Sequence, residues 1–470
     1  MATLSTPNDS VVLEIGNRLD AAPVGRTHYR VVLAVGLGLF FEMYEIFLSS
    51  TISATLKTQY SLGGTELKVL LASSFLGMFV GAAFLGRLAD IFGRRRAFMF
   101  NLIWFSVWSL IAAFAPGPGF LVVARFLAGI GVGAEYPVAD SYLSDVLPKS
   151  HRGRLAAWAY TCSYLAVPFL GFLSLGLTDR HIFGVAGWRV LLALGALGAV
   201  LVALLRRGLP ESPRWLAGTG RIEEARAAVA CFESPQPVSP HRASDGASRV
   251  HAEQGGAKNG TDVPSHISKP LARLSTPPYR RRLMMLIVFH LFQTFGYYGF
   301  GTMASLVLVH RGYDVTSSLL FVACSFLGYP VGSILAIPLL RRFERKYLLM
   351  YTIAAIAVCG LLFATVSSTI LIITFGFLTT AVSNVFSNVY HVYQAEIFPT
   401  DVRATAVGWT YSLSRLSSGA LPFILIPVLD AFGAVAMFTV VLVALIITFT
   451  AIAVAGPRTT RRSLEDINPV

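Results

Sequence analysis

Apolar residues run in long blocks along this chain, separated by short polar stretches where Arg, Lys, Gly and Pro gather. A helix needs about 20 mostly apolar residues to cross the hydrocarbon of a bilayer. Twelve blocks meet that length, at 30–55, 69–88, 97–115, 119–144, 155–177, 188–207, 283–308, 317–340, 347–366, 369–395, 404–428 and 432–455. Several contain Gly or Pro, which membrane helices tolerate because neighbouring spans satisfy the freed backbone groups. The pattern predicts an all-α integral membrane protein with twelve transmembrane helices.

The polar remainder divides into three. Residues 1–29 are polar and of mixed charge, with nothing that reads as a cleavable signal peptide. Segment 208–282 begins with a short amphipathic helix predicted at TGRIEEARAAVACFE (219–233). It continues through 234–270, rich in Ser, Pro, His, Gly and Lys, which reads as a disordered linker. Residues 456–470 form a polar tail.

The blocks repeat. SFLGMFVG at 74–81 returns as SFLGYPVG at 325–332, an offset of 251. The same offset lays Arg94 on Arg345, Tyr142 on Tyr393, Pro148 on Pro399, Arg152 on Arg403, Trp158 on Trp409 and Tyr160 on Tyr411, and Asp145 on Glu396 with its charge kept. Pro, Arg and Trp are not interchangeable filler, so the register marks two tandem halves, 30–207 and 283–455. Six spans is an even number, so the halves run parallel, related by an axis along the membrane normal. Such a pair encloses a cavity that opens to one side at a time, the architecture of a carrier.

Composition agrees: 54% of residues are hydrophobic and 13% charged, about half the charged share of a soluble protein. The net charge of +13 is concentrated in one set of loops, at Arg94–Arg96, Lys149–Arg154, Arg280–Arg282, Arg341–Lys346 and Arg458–Arg462. That asymmetry places both termini in the cytoplasm and accounts for the charge without nucleic acid. The four cysteines have neither disulfide nor metal-ligand spacing. No nucleophile–base set or phosphate loop stands out, so no cofactor, no metal and no enzyme activity are expected.

Gly86-Arg-Leu-Ala-Asp90-Ile-Phe-Gly93-Arg94-Arg95-Arg96, between spans two and three, resembles the signature loop of the major facilitator superfamily. Arg125-Phe-Leu-Ala-Gly-Ile-Gly-Val-Gly-Ala-Glu135-Tyr-Pro137, Pro210-Glu211-Ser-Pro-Arg214-Trp and the Pro457–Ile467 tail extend the resemblance to the sugar porters. It implies a monomeric carrier in the cell (inner) membrane. Glu42-Met-Tyr-Glu45 on span one, Phe295-Gly-Tyr-Tyr-Gly-Phe on span seven and Arg415…Pro422 on span eleven look like the metabolite–proton symporters. Within that group they resemble the niacin and aromatic-acid carriers and their synaptic-vesicle-glycoprotein relatives.

The charged loops read as a cytoplasmic gate. Asp90 can cap a neighbouring helix, Arg94 and Arg95 can pair with Asp145, and Glu211 and Arg214 are expected to join Arg152 and Arg154. Arg345, Lys346, Glu396 and Arg403 are the second copy, in which Arg341 and Glu344 replace the Asp and Gly of the first.

The buried charges are not repeated. Under the same offset Glu42 meets Gln293, Glu45 meets Gly296, Arg125 meets Gly376 and Arg415 meets Tyr164. A charge inside the bilayer costs several kcal/mol and points to function. At about 1.5 Å per residue, Arg125 can reach Glu45, and an Arg–Glu pair that exchanges its partner for a proton is a simple coupling device. The reading gives the proton to Glu45, with Glu42 and Arg125 assisting.

Arg415 lacks an acidic neighbour on its helix, and an unpaired guanidinium suits a carboxylate. Phe41, Tyr44, Gln293, Tyr297, Tyr298, Asn384 and Asn388 are candidates for an aromatic, amide-bearing wall, with Phe295 and Tyr390 beside them. His290 and His391 are candidates for substrate binding or proton relay. The expected function is proton-coupled symport of a small organic, aromatic carboxylate across the lipid bilayer. A sugar–proton symporter and an organic-cation carrier, the latter using Glu42 and Glu45 as its site, remain the alternatives.

Overall fold

The structure is a computed structural model that describes residues 7–85, 88–178, 180–182, 184–233, 274–460 and 467. The stretch read as a linker, 234–270, lies outside them, as do Gly86 and Arg87.

Eleven helices among the described residues are long and apolar enough to cross a membrane. Ten are single spans: Arg26–Gln59, Gly64–Phe84, Arg94–Ala113, Pro118–Val146, Arg152–Leu177, Gly187–Arg206, Tyr279–His310, Val315–Arg342, Arg345–Thr365 and Thr369–Glu396. The last helix, Thr400–Ala455, holds two spans, because its backbone leaves helical geometry at Gly433, where φ is 81°. Glycine takes that left-handed angle without steric cost. Twelve spans result, within a few residues of the hydropathy reading, and the fold is the all-α membrane bundle expected.

Prolines break three spans at predictable places. The first pieces of spans four, five and eight end at Gly133, Tyr164 and Phe326, each four residues before Pro137, Pro168 or Pro330. A proline has no N–H for the carbonyl four residues back, and its ring crowds that carbonyl. Tyr164 and Tyr329, both beside these breaks, stack across the interface between the halves with centroids 6.3 Å apart.

The repeated octapeptide has a packing cause. A β-carbon on Gly77 would collide with the Phe126 carbonyl, and one on Gly328 with the Phe377 carbonyl; 126 and 377 are themselves 251 apart. Spans two and four thus approach as spans eight and ten do, backbone to backbone, as small residues permit in membranes.

Spans one, four and seven are among the most enclosed; spans three, six and nine are about half turned to lipid. On the side away from the chain ends the halves are in firm contact: Phe47 packs on Phe326 at 5.7 Å, and the β-carbon position of Gly171 lies 2.9 Å from Ala323. Nearer the termini they touch through Thr161 and Ser333, whose hydroxyls are 3.0 Å apart, and through the Tyr136 and His391 rings.

The N-terminal segment, read only as polar, contains a helix over Pro7–Ala21 whose Ile15 and Leu19 are buried. It docks on the helix Ile222–Glu233, which forms where the amphipathic pattern at 219–233 placed one. Arg18 donates to both carboxylate oxygens of Glu233, at 2.9 and 2.7 Å. Thr27 donates to the Cys231 carbonyl at 2.7 Å.

Candidate substrate and coupling site

Glu45 and Arg125 meet as their depths on spans one and four suggested. Arg125 Nη1 donates to Glu45 Oε1, as does the Ser109 hydroxyl. Arg125 also reaches the Glu45 carbonyl at 2.9 Å and the Ser49 hydroxyl at 3.0 Å. Both side chains are 2% exposed, so the pair is shielded from the water that would weaken it.

A second buried pair escaped the sequence reading. Arg206, at the end of span six, donates to Glu135 at 2.8 Å and to the Ala34 carbonyl at 3.1 Å. Gly38 makes room for it, since a β-carbon there would strike the Arg206 guanidinium. Arg206 fell at the end of predicted span 188–207 with no role given to it, and Glu135 stood inside a motif with no role. The available signal was an acid within one span facing a base at the end of another.

Arg415 is 1% exposed and forms no ion pair among the described residues. It donates to the Tyr298 hydroxyl at 2.5 Å and the Tyr411 hydroxyl at 2.8 Å, and lies over both rings. Its Nε has no acceptor. Glu42, from the other half, lies close enough to feel the Arg415 charge. It is fully buried, and neither of its carboxylate oxygens has a hydrogen-bond partner.

The expected wall is only partly assembled around Arg415. Tyr298 is a direct partner, and Tyr297 packs on it at 4.8 Å. Gln293 is buried with its carbonyl oxygen unpartnered. Phe41 and Tyr44 turn away from the interface towards span six: Phe41 covers Gly198, and Tyr44 donates to the Leu191 carbonyl at 2.9 Å. Three apart on an enclosed helix, they share a face with each other but not with Glu42. Asn384 donates to the Tyr329 carbonyl and Asn388 to the Asn384 carbonyl at 2.8 Å, so both amides brace span ten. His290 lies 3.0 Å from the Gln394 carbonyl oxygen. His391 faces Tyr136 of the other half, with rings 7° from parallel.

The face carrying the chain ends repeats one ion pair in both halves. Arg94 meets Asp145 at 3.2 Å, and Arg345 meets Glu396 at 3.2 Å, each residue displaced by 251 from its counterpart. The remaining partners differ from expectation. Arg152 and Arg214 converge on Asp20 of the N-terminal helix, at 3.5 and 3.0 Å, and not on Glu211. Glu211 instead accepts from the Arg95 N–H at 3.0 Å, capping span three; the sequence offered Asp90 for such a role. Arg95 itself donates from its side chain to the Arg207 carbonyl. Arg154 is exposed and has no ion pair among the described residues. In the second half the tail takes the capping position: the Thr460 hydroxyl accepts from the Arg345 N–H at 3.1 Å, and Glu344 accepts from the Thr459 N–H at 2.9 Å. The side chains of Asp90 and Arg403 lie outside the described set. No ion pair among the described residues joins one half to the other.

Residues 31–470 match the family model described as sugar (and other) transporter. The chain belongs to this family. It is similar to the niacin transporter NiaP of Acinetobacter baylyi, 29% identical over 97% of this chain and 100% of that one. It is also similar to the inner membrane metabolite transport protein YgcS of Escherichia coli, 28% identical over 87% of each. Among solved structures it superposes on the partially occluded inward open conformation of the xylose transporter XylE from E. coli. There the TM-score is 0.71 at 19% identity, over 93% of this chain and 99% of that one; this likeness shows the fold. The chain is therefore a multi-pass membrane transporter of the major facilitator superfamily, and its relatives are named as transporters, not enzymes.

Proposed function

We propose that this transporter is a proton-coupled symporter of small aromatic carboxylates, working by alternating access in the inner membrane with both termini cytoplasmic. Arg415 carries the reading. A buried guanidinium whose hydrogen bonds among the described residues go only to tyrosine hydroxyls, and whose Nε has no acceptor there, is a charge awaiting an anion. A carboxylate fits its planar fork, and the surrounding tyrosine rings favour a flat ligand. The similarity to a niacin transporter supports the same class, since niacin is an aromatic acid.

Coupling rests on span one. An ionised carboxylate in a dry site without a donor is costly, so Glu42 carries the proton in this conformation. Glu45, held by Arg125 and Ser109, remains the paired charge and exchanges Arg125 for a proton when the halves rearrange. The sequence reading gave the proton to Glu45; the geometry favours this division between the two. Arg94–Asp145, Arg345–Glu396 and the Glu211 cap brace each half, so that the halves move as units. Asp90, Arg154 and Arg403 complete the proposed gate.

The sugar-symporter reading is supported by the family description and the xylose-transporter fold, and it would leave Arg415 as scaffold. Binding of labelled benzoate to purified protein, competed by carboxylates, sugars and organic cations, separates the readings. Carboxylates compete in the proposed account; competition by sugars alone overturns it.

A further inference from the structure

Two charges at the interface between the halves lack a partner of opposite sign among the described residues, and repeat-equivalent tyrosines hold them. Tyr411 accepts from Arg415 at 2.8 Å. Tyr160, displaced from it by 251, donates to the carboxylate of Asp140. One tyrosine fold position thus steadies a cation in one half and an anion in the other.

Asp140 lies within the second helix of span four (Glu135–Val146), yet it is exposed. Its carboxylate accepts from Tyr160, whose ring stacks on that of Tyr136 at 6.1 Å, on the side of the helix turned to the other half. Tyr136, one turn earlier on the same face, confirms the direction by lying parallel to His391 of the other half at 6.4 Å. His391 is itself the repeat-equivalent of Asp140, and its ring is 5.8 Å from that of Tyr411. A continuous run of rings, Tyr411, His391, Tyr136 and Tyr160, thus joins the cationic pole at Arg415 to the anionic one at Asp140. Of the buried acids, Glu135 and Glu45 are matched by Arg206 and Arg125, and Glu42 is the proton carrier of the proposed coupling.

A simple carboxylate seated on Arg415 would meet a second carboxylate across this cleft, and like charges in a partly dry site repel. A ligand bearing a donor at its far end would instead hydrogen-bond to Asp140. We propose that Asp140, flanked by His391, is a second recognition pole of the substrate site. The substrate class narrows to planar acids with a hydroxyl or amino donor remote from the carboxylate. This rests on the assignment of Arg415 to the carboxylate.

The test is competition against uptake of a labelled aromatic acid into proteoliposomes, using benzoate, para-hydroxybenzoate and para-aminobenzoate. Wild-type protein is expected to prefer the donor-bearing acids over benzoate by at least about ten-fold, the value of one charge-assisted hydrogen bond. Asp140→Ala and Asp140→Asn should bring that ratio towards one. Equal affinities in the wild type, or a ratio that survives both substitutions, would overturn the second pole while leaving the Arg415 assignment in place. Failure of all three acids to compete would remove the Arg415 assignment and the second pole together. The wild-type ratio needs no variant, so poor folding of a substituted protein does not spoil the result.

Discussion

Arg415 gives its two terminal nitrogens to the hydroxyls of Tyr298 and Tyr411, at 2.5 and 2.8 Å, and none to a carboxylate among the described residues. The tyrosines come from spans seven and eleven, so the guanidinium is oriented entirely by its own half. Glu42, a buried acid of the opposite half, makes no hydrogen bond among the described residues. A fixed cation facing an unfixed acid across the moving interface is an arrangement that a bound anion would complete.

Replacing Arg415 with Lys keeps the charge and loses the fork. Apparent affinity for aromatic carboxylates should fall roughly 10- to 100-fold, the value of a hydrogen bond to a charged group. Equilibrium binding to purified Arg415→Lys checks this, and an unchanged affinity removes the residue from the site.

Glu42→Gln should stop substrate accumulation driven by a pH gradient while leaving exchange of labelled for unlabelled substrate intact. Exchange returns each conformation to its start without net proton movement. Gradient-driven accumulation by Glu42→Gln would mean that the proton travels elsewhere.

Breaking a buried ion pair from one side strands the other charge, at a cost of about 3–5 kcal/mol. Arg125→Met and Glu45→Gln should each lower the unfolding temperature in detergent. The double variant should recover much of the loss. Additive losses would show that Glu45 and Arg125 act separately.

The N-terminal helix is fastened by Arg18, whose guanidinium holds the Glu233 carboxyl below its usual range through hydrogen bonding. A lowered folded-state value stabilises the docked helix above the ordinary Glu range, near about 4.3. That contribution disappears as pH falls through the folded value. Hydrogen-exchange protection of residues 11–21, taken relative to the intrinsic rate at each pH, should therefore fall on acidification below about 4 and remain high at neutral pH. Glu233→Gln should remove the pH step.

Most of the fold was legible because hydropathy and the 251 offset are one-dimensional signals. Gly77 and Gly328 repeat because backbone contact demands it, and the prolines at 137, 168 and 330 fix where helices break. The site was legible only where a charge stood far inside a span, as with Glu45, Arg125 and Arg415. Arg206 escaped because it sits at a span end, where a base looks like a topology signal. Asp20 escaped because its partners, Arg152 and Arg214, lie 132 and 194 residues away. Phe41 and Tyr44 were placed towards the substrate because depth can be counted along a helix, whereas the direction a side chain faces depends on which span packs against it.

The central claim is that a carboxylate and a proton enter together. Purified protein in liposomes loaded with a pH-sensitive dye, with aromatic acids, sugars and organic cations added in turn, measures this directly. Acidification of the lumen on adding aromatic carboxylates, absent from protein-free liposomes, is the predicted result. Acidification with sugars and silence with carboxylates would contradict it.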